Sequence, residues 1–189
     1  MPTDTRSLLA NRKASIDTET ALLAAKIATR QAKGIATAIC GGLAMHLYGF
    51  VRATQDVDLV ASALLDVTPD KEFSFGGVSF SVEAAGRRVT IDWIVRDDFF
   101  REFYETALAE AQDLGEGLHI ITPEWLVTLK YIAGRGKDRI DLLWLLQQPQ
   151  LVDRAQVLAH FDRVMGPLGA SFPQRELERL FAQADTGLE

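Results

Sequence analysis

Residues 41–60 read GGLAMHLYGFVRATQDVDLV, and how this stretch folds decides how the chain around it is read. Before it, IATAIC (residues 35–40) is a compact apolar run that fits a buried strand. Gly41-Gly42 punctuates, LAMHLYG continues as a short helix closing near Gly49, and DVDLVA (residues 56–61) alternates acidic and aliphatic side chains with the period of two of a strand. That period puts Asp56 and Asp58 on one face, while Val57 and Leu59 anchor the other in the core. Carboxylates at i and i+2 stand about 6.5–7 Å apart and, at an effective dielectric of about 20, repel by about 2–3 kcal/mol. A divalent cation held between them reverses the sign of that interaction, and carboxylate oxygens suit Mg²⁺ or Mn²⁺.

Working outward, SIDTETALLAAKIATRQAK (residues 15–33) reads as a helix with Leu22, Leu23 and Ile27 as its apolar stripe and Gly34 as its stop. FSFGGVSFSV (residues 73–82) carries Gly76-Gly77 between aromatic and β-branched residues, a hairpin signal with a two-residue primed turn. RVTIDWIV (residues 88–95) is the next strand. Helical patterns follow near 98–111, 123–134 and 138–147, with a short strand at LHIIT (residues 118–122) between the first two. Two last helices, near 153–165 and 174–184, are separated by Gly166-Pro167, and Val157, Leu158, Phe161, Val164 and Met165 fall on one face of the first. The expected fold is α+β (α/β): a mixed β-sheet flanked by helices, residues 1–121, followed by a C-terminal helical region, residues 122–189.

Composition narrows the function classes. The chain has 189 residues, 48% hydrophobic and 24% charged, values of a folded protein rather than a disordered or low-complexity one. A net charge of -6 argues against a generic polyanion binder while leaving room for a local basic groove. Cys40 is the one cysteine, so neither an internal disulfide nor a thiolate zinc cluster can form. Met1 to Arg12 has no apolar run of the secretory kind. Gly34 to Val51 carries no formal charge and approaches the length of a membrane span, but Gly41, Gly42 and Gly49 interrupt it, and a buried strand followed by a packed helix explains it better. The chain is read as cytosolic and without a membrane partner.

A third acid stands in a comparable setting. Asp92 interrupts the otherwise apolar VTIDWIV, where an unpaired charge is expensive to bury. If its strand lies beside Asp56–Asp58, three carboxylates share a sheet face, enough oxygen for two metal ions about 3.5–4 Å apart, as in-line phosphoryl transfer uses. Gly41 and Gly42 would let backbone amides approach a triphosphate where the helix begins. Blander readings exist for each part: Asp-x-Asp is often an exposed strand edge, Gly-Gly is often only a turn, and Asp92 could pair with Arg87, Arg88 or Arg96.

Taken together, GG-x-A-x-x-x-x-G-x-x-R-x-T-x-D-x-D-L over residues 41–59 resembles the signature of the DNA polymerase β-type nucleotidyltransferase superfamily. Among its members it is nearest to small bacterial AbiEii-like nucleotidyltransferases of abortive-infection and toxin–antitoxin systems. The resemblance continues in ITPEWLVTLKYIAGRGKDRIDLLWLL (residues 121–146) and covers about residues 35–147. It implies that Gly41, Gly42, Arg52, Thr54 and Lys137 bind the nucleotide and that Asp56, Asp58 and Asp92 hold Mg²⁺ or Mn²⁺. Asp92 would also help activate the attacking hydroxyl. Lys130 would contact phosphate, and Asp141 would orient it or the acceptor. Many members carry Gly-Ser where this chain has Gly41-Gly42. The activity implied is transfer of NMP from an NTP to a hydroxyl on a tRNA 3′ end or a protein, with a cognate antitoxin as a further partner. The alternative is the same fold acting as an inactive binding or regulatory protein.

Read from the residues alone, Lys130, Arg135, Lys137 and Arg139 form a local basic cluster that is either phosphate-facing or a solvated helix face. GRGKD is not a P-loop, since Tyr131 and Asp138 stand where glycine and Ser or Thr belong. His46 reads as a packed or capped histidine, and His119 and His160 as surface or interface residues. Ser79 and Ser81 lack a nucleophile elbow. Trp125, Trp144, Phe73, Phe75 and Phe80 read as core, because a nucleic-acid stacking platform needs Lys or Arg interleaved with its aromatics, and the hairpin sequence shows none.

Overall fold

The computed structural model describes residues 15–186. Asp17 caps α1 (Thr18–Gln31) by accepting from the Thr20 N–H. The order continues β1 (Thr37–Ile39), α2 (Gly41–Leu47), β2 (Asp56–Ala61), β3 (Lys71–Glu72), β4 (Val78–Ala84), β5 (Arg87–Ile94), α3 (Arg101–Ala109), β6 (Gln112–Gly115), β7 (Leu118–Ile120), α4 (Pro123–Ala133), α5 (Gly136–Leu146) and α6 (Arg154–Thr186). The seven strands form one mixed sheet in the order β3-β4-β5-β2-β1-β7-β6. β2 pairs parallel with β5 and antiparallel with β1, and β1 pairs parallel with β7. The expected mixed sheet with flanking helices and a helical C-terminal third is the architecture found.

Alternation in the central strands sorts the two sheet faces. Val57, Leu59, Val89, Ile91 and Trp93 are buried, while Asp56, Asp58, Thr90 and Asp92 lie on the other, partly open face. α1 buries Ala21, Ala24, Ala25 and Ala28 most deeply; of the stripe its sequence suggests, Leu22 and Ile27 pack half-buried on the core and Leu23 is exposed. Small side chains let the helix backbone approach the sheet, which explains why alanines take the inner position. One apolar cluster runs from Ile16 to Ala184 through both the sheet and the C-terminal helices. Phe103 of α3 and Tyr131 of α4 both pack on Phe161 of α6, at ring separations of 5.3 and 5.5 Å. His160 is buried here rather than at a surface: it stacks on Trp125 at 3.7 Å and shares a hydrogen bond with Thr128 Oγ1. Burial depresses its pKa to about 4.

Two local expectations change. α6 is two helical segments broken at Gly166, and the second resumes at once rather than near residue 174. It folds back so that Arg154 pairs with Asp185. The hairpin at Gly76-Gly77 is not closed by a two-residue turn. β3 lies earlier, at Lys71–Glu72, so Phe73 and Phe75 belong to the loop, while the tight turn of the sheet is Ala85-Gly86 between β4 and β5. The glycine pair has another role, because its loop lies directly on the end of β5. A Cβ on Gly77 would come within 2.2 Å of the Trp93 carbonyl oxygen, and one on Gly76 within 2.1 Å of that of Val95. No helix among the described residues is long and apolar enough to cross a membrane; Gly34–Val51 folds as β1, α2 and their flanks.

Gly77→Ala therefore meets backbone it cannot displace, at a φ of 96°. The expected loss is at least about 2 kcal/mol, read as a lower urea midpoint with an unchanged slope.

Candidate functional site

The parallel β2–β5 ladder brings the acids together. Asp58 is paired in register with Asp92, and Asp56 with Thr90. Paired residues on neighbouring strands stand about 4.8 Å apart, so Asp58 faces one like charge across the ladder and another two residues along its own strand. Burial, then the charges of Asp56 and Asp92, push the Asp58 carboxyl up to about 6, against an opposing pull from Lys137 and Lys130. Arg87, Arg88 and Arg96, which the sequence offered as partners for Asp92, form ion pairs with Asp17, Asp70 and Asp98.

The glycine turn closes over Asp58. Gly41 has φ 58°, and a Cβ there would lie 1.8 Å from Asp58 Oδ2. The Gly42 N–H is directed at the same oxygen, at 3.4 Å. A Cβ on Gly42 would come within 2.6 Å of Thr54 Oγ1, so buried Thr54 occupies the space that a serine would need at position 42. Thr54 in turn donates to the Asp56 carbonyl at 3.1 Å, fixing the entry to β2. Turn and strand are thus fitted to each other, and the first glycine exists for the carboxylate.

Two clefts meet at Asp58. One, of ≈ 200 Å³, opens towards α2 and α5 and is walled by Gly42, Arg52, Thr54, Asp56 and Lys137. The other, of ≈ 360 Å³, opens towards β5 and the β3–β4 hairpin. It is lined by Asp92, Lys71, Phe73, Phe75, Arg96, Tyr104 and Arg135.

The structure places Lys130 and Asp141 outside the walls of the two clefts that meet at Asp58. Lys130, 5% exposed, donates to Asp141 Oδ2 at 2.5 Å and reaches Asp138 Oδ1 at 3.5 Å. Asp141, fully buried, takes both Nε and Nη2 of Arg52 at 2.8 Å. Arg135 closes the chain with two bonds to Asp138. Lys130, for which the resemblance implies a phosphate contact, stands in this buried network, which ties α4, α5 and the loop ahead of β2 together. Exposed Lys137 lines the smaller cleft together with Arg52. His46 supports the same loop from behind, with Nδ1 hydrogen-bonded to Thr18 Oγ1 and Nε2 accepting from the Arg52 N–H at 3.2 Å.

A divalent cation fits this site by its electrostatics: two half-buried carboxylates in register, a third alongside, and one titrating near 6. No cluster of three His, Cys, Asp or Glu side chains poised to hold a metal stands among the described residues, so ligation requires side-chain rotation of these aspartates. Sequence reading missed Arg96, Tyr104 and the cleft position of Phe73 and Phe75, because only the folding of α3 and the hairpin over β5 brings them to the acids.

No protein-family model matches the chain, and no curated protein matches it. Among solved structures, it is similar to an antigenic nucleotidyltransferase-like protein from Paracoccidioides brasiliensis, at 17% identity and a TM-score of 0.49 over 89% of this chain and 94% of that one.

Two outcomes follow from the geometry. Asp58 ionises at a higher pH folded than unfolded, so its contribution to stability is present in acid and lost as pH rises through about 6. Asp58→Asn should therefore raise stability by roughly 1–2 kcal/mol at about pH 8 in chelator, with the gain vanishing below about pH 4, as thermal melts across pH would show. Mg²⁺ should then raise the melting temperature of the parent chain but not of this variant. Lys130→Met removes the buried cation shared by Asp138 and Asp141, leaving each with its arginine alone, and should cost about 1.5–3 kcal/mol in urea unfolding. A lysine serving only as a phosphate contact would leave stability nearly unchanged.

Proposed function

We propose that this chain is a metal-dependent nucleotidyltransferase that moves NMP from an NTP to a hydroxyl acceptor. The observation that carries the reading is the register of Asp58 with Asp92 beneath a glycine turn that admits no side chain. Three carboxylates on one sheet face, with two cations at the adjoining cleft, suit a polyphosphate that arrives with divalent metal. The motif resemblance over residues 41–59 supports the same reading.

Asp56, Asp58 and Asp92 would hold Mg²⁺ or Mn²⁺, which when bound neutralises the triphosphate and polarises the α-phosphorus. The phosphates would enter the smaller cleft, walled by Gly42, where Lys137 would supply a mobile charge and Arg52 a fixed one. Arg52 is fixed because Asp141 grips its guanidinium while His46 supports its backbone, and holding it this way limits the entropy lost when phosphate binds. Thr54 keeps the strand entry in place. Asp92 lines the opposite cleft, and its carboxylate would take the proton of the incoming hydroxyl. The acceptor oxygen bonds to the α-phosphorus as the bond to the leaving pyrophosphate breaks. The resemblance to AbiEii-like proteins adds a cognate antitoxin as an expected partner and toxin–antitoxin or phage defence as the setting.

The test is incubation with each α-labelled NTP, Mg²⁺ and either total tRNA or lysate, following which species gains label. Asp58→Asn and Asp92→Asn should abolish labelling while the chain stays folded. Lys137→Ala should raise the KM for NTP about ten-fold, the worth of one charge-assisted hydrogen bond. Undiminished labelling by Asp58→Asn would refute the assignment.

A further inference from the structure

Strand β4 contributes side chains to the face that carries the acids. Its antiparallel register sets Ser79 opposite Asp92, Ser81 opposite Thr90 and Glu83 opposite Arg88. Partners in register point to the same side of a sheet, so Ser79 lies on the acid face. With Lys71 in register on its other side, one row crosses four strands: Lys71, Ser79, Asp92, Asp58.

The two serines of this face differ in what their hydroxyls do. Ser81 donates to Asp70 Oδ2 at 2.7 Å. Ser79 is 6% exposed, and among the described residues its hydroxyl makes no hydrogen bond. Its backbone, in contrast, is held from both sides, by the β4–β5 ladder and by the Asp70 N–H, which donates to the Ser79 carbonyl at 2.7 Å. A side chain so little exposed gains less from water than one on the surface. Without a protein partner for the hydroxyl, an alanine would serve the strand as well.

Asp92 becomes that partner once it turns. Ligation requires the aspartates to rotate, and a carboxylate that gives one oxygen to a cation keeps acceptor sites on the other. Residues directly opposite on antiparallel strands have Cβ atoms about 4.5–5.5 Å apart, a span that a serine hydroxyl and a carboxylate can close to a hydrogen bond by rotation about χ1. The arginines of the same cleft are committed elsewhere. Arg96 pairs with Asp98 and lies over the Phe75 ring at 4.6 Å, and Arg135 pairs with Asp138. Lys71 stands two strands from Asp92, with its Nζ over Phe73 at 5.5 Å.

From this register we infer that Ser79 is a positioning residue for the metal centre: its hydroxyl donates to Asp92 as that carboxylate turns towards Asp56 and Asp58, and holds it in the ligating orientation. The inference rests on the transferase reading above. Outer hydrogen bonds of this kind orient ligating side chains, and losing one weakens metal binding by roughly 10–100-fold. A hydroxyl with this role matters to the metal and not to the fold, whereas a structural hydroxyl would matter to the fold first.

The test is Mn²⁺ binding by the full chain without NTP, read from the electron paramagnetic resonance signal of free Mn²⁺, with thermal melts in chelator alongside. Ser79→Ala should weaken Mn²⁺ binding about ten-fold and keep the melting temperature in chelator within about 2 °C of the parent. Ser81→Ala, which removes the other hydroxyl of the same face, should leave Mn²⁺ affinity as it was. Equal Mn²⁺ affinity in Ser79→Ala and the parent chain overturns the inference. So does an equal loss in both alanine variants, or a Ser79→Ala chain that melts clearly lower in chelator. Failure of the transferase reading looks different: a parent chain that binds no Mn²⁺ removes the metal centre, and the role of Ser79 with it.

Discussion

The β2–β5 ladder holds Asp58 opposite Asp92, and much of what surrounds the site is arranged to live with that pairing. Backbone hydrogen bonds fix the register, so the two carboxylates cannot separate without breaking the centre of the sheet. Asp56, on the same face, adds to the repulsion. Burial on one side and these charges on the other leave Asp58 titrating near 6. The cost of that proximity falls on Asp58, whose ionisation is pushed up by burial and by its two neighbours.

Around the acids, the fold separates support from contact. Lys130, Asp138 and Asp141 form a buried network whose charges largely satisfy one another. It presents Arg52 to the cleft in one geometry and seats α5 against the loop before β2. Lys137, about one turn before Asp141 on the same helix, remains exposed. Cys40 sits just ahead of the turn with its thiol pushed up by burial, which fits a packing role there.

Much of the site was legible because it is local. The alternation in DVDLVA, the acid inside VTIDWIV and the glycine pair at 41–42 each follow from spacing within one element, where a period of two or a break in an apolar run carries the information. Their convergence needed only that β2 and β5 be neighbours. The roles of Lys130 and Asp141 were not legible: a lysine eight and eleven residues from two aspartates reads the same whether the group faces solvent or closes on itself. Phe73 and Phe75 misled in the opposite sense, because aromatics near a Gly-Gly pair read as hairpin core when nothing nearby in sequence marks them as cleft wall.

The sequence by itself determined the elements around residues 35–61, the face on which Asp56 and Asp58 lie, and the exclusion of disulfide, thiolate-zinc and P-loop chemistry. Each of these depends on side-chain type and short-range period alone. The tertiary structure decided which charges are occupied and which are available, because that depends on partners far apart in the chain: Asp141 for Arg52, Asp138 and Asp141 for Lys130, Asp98 and Phe75 for Arg96. An ion pair or a stacked cation is a property of distance in space, and no reading along the chain contains it.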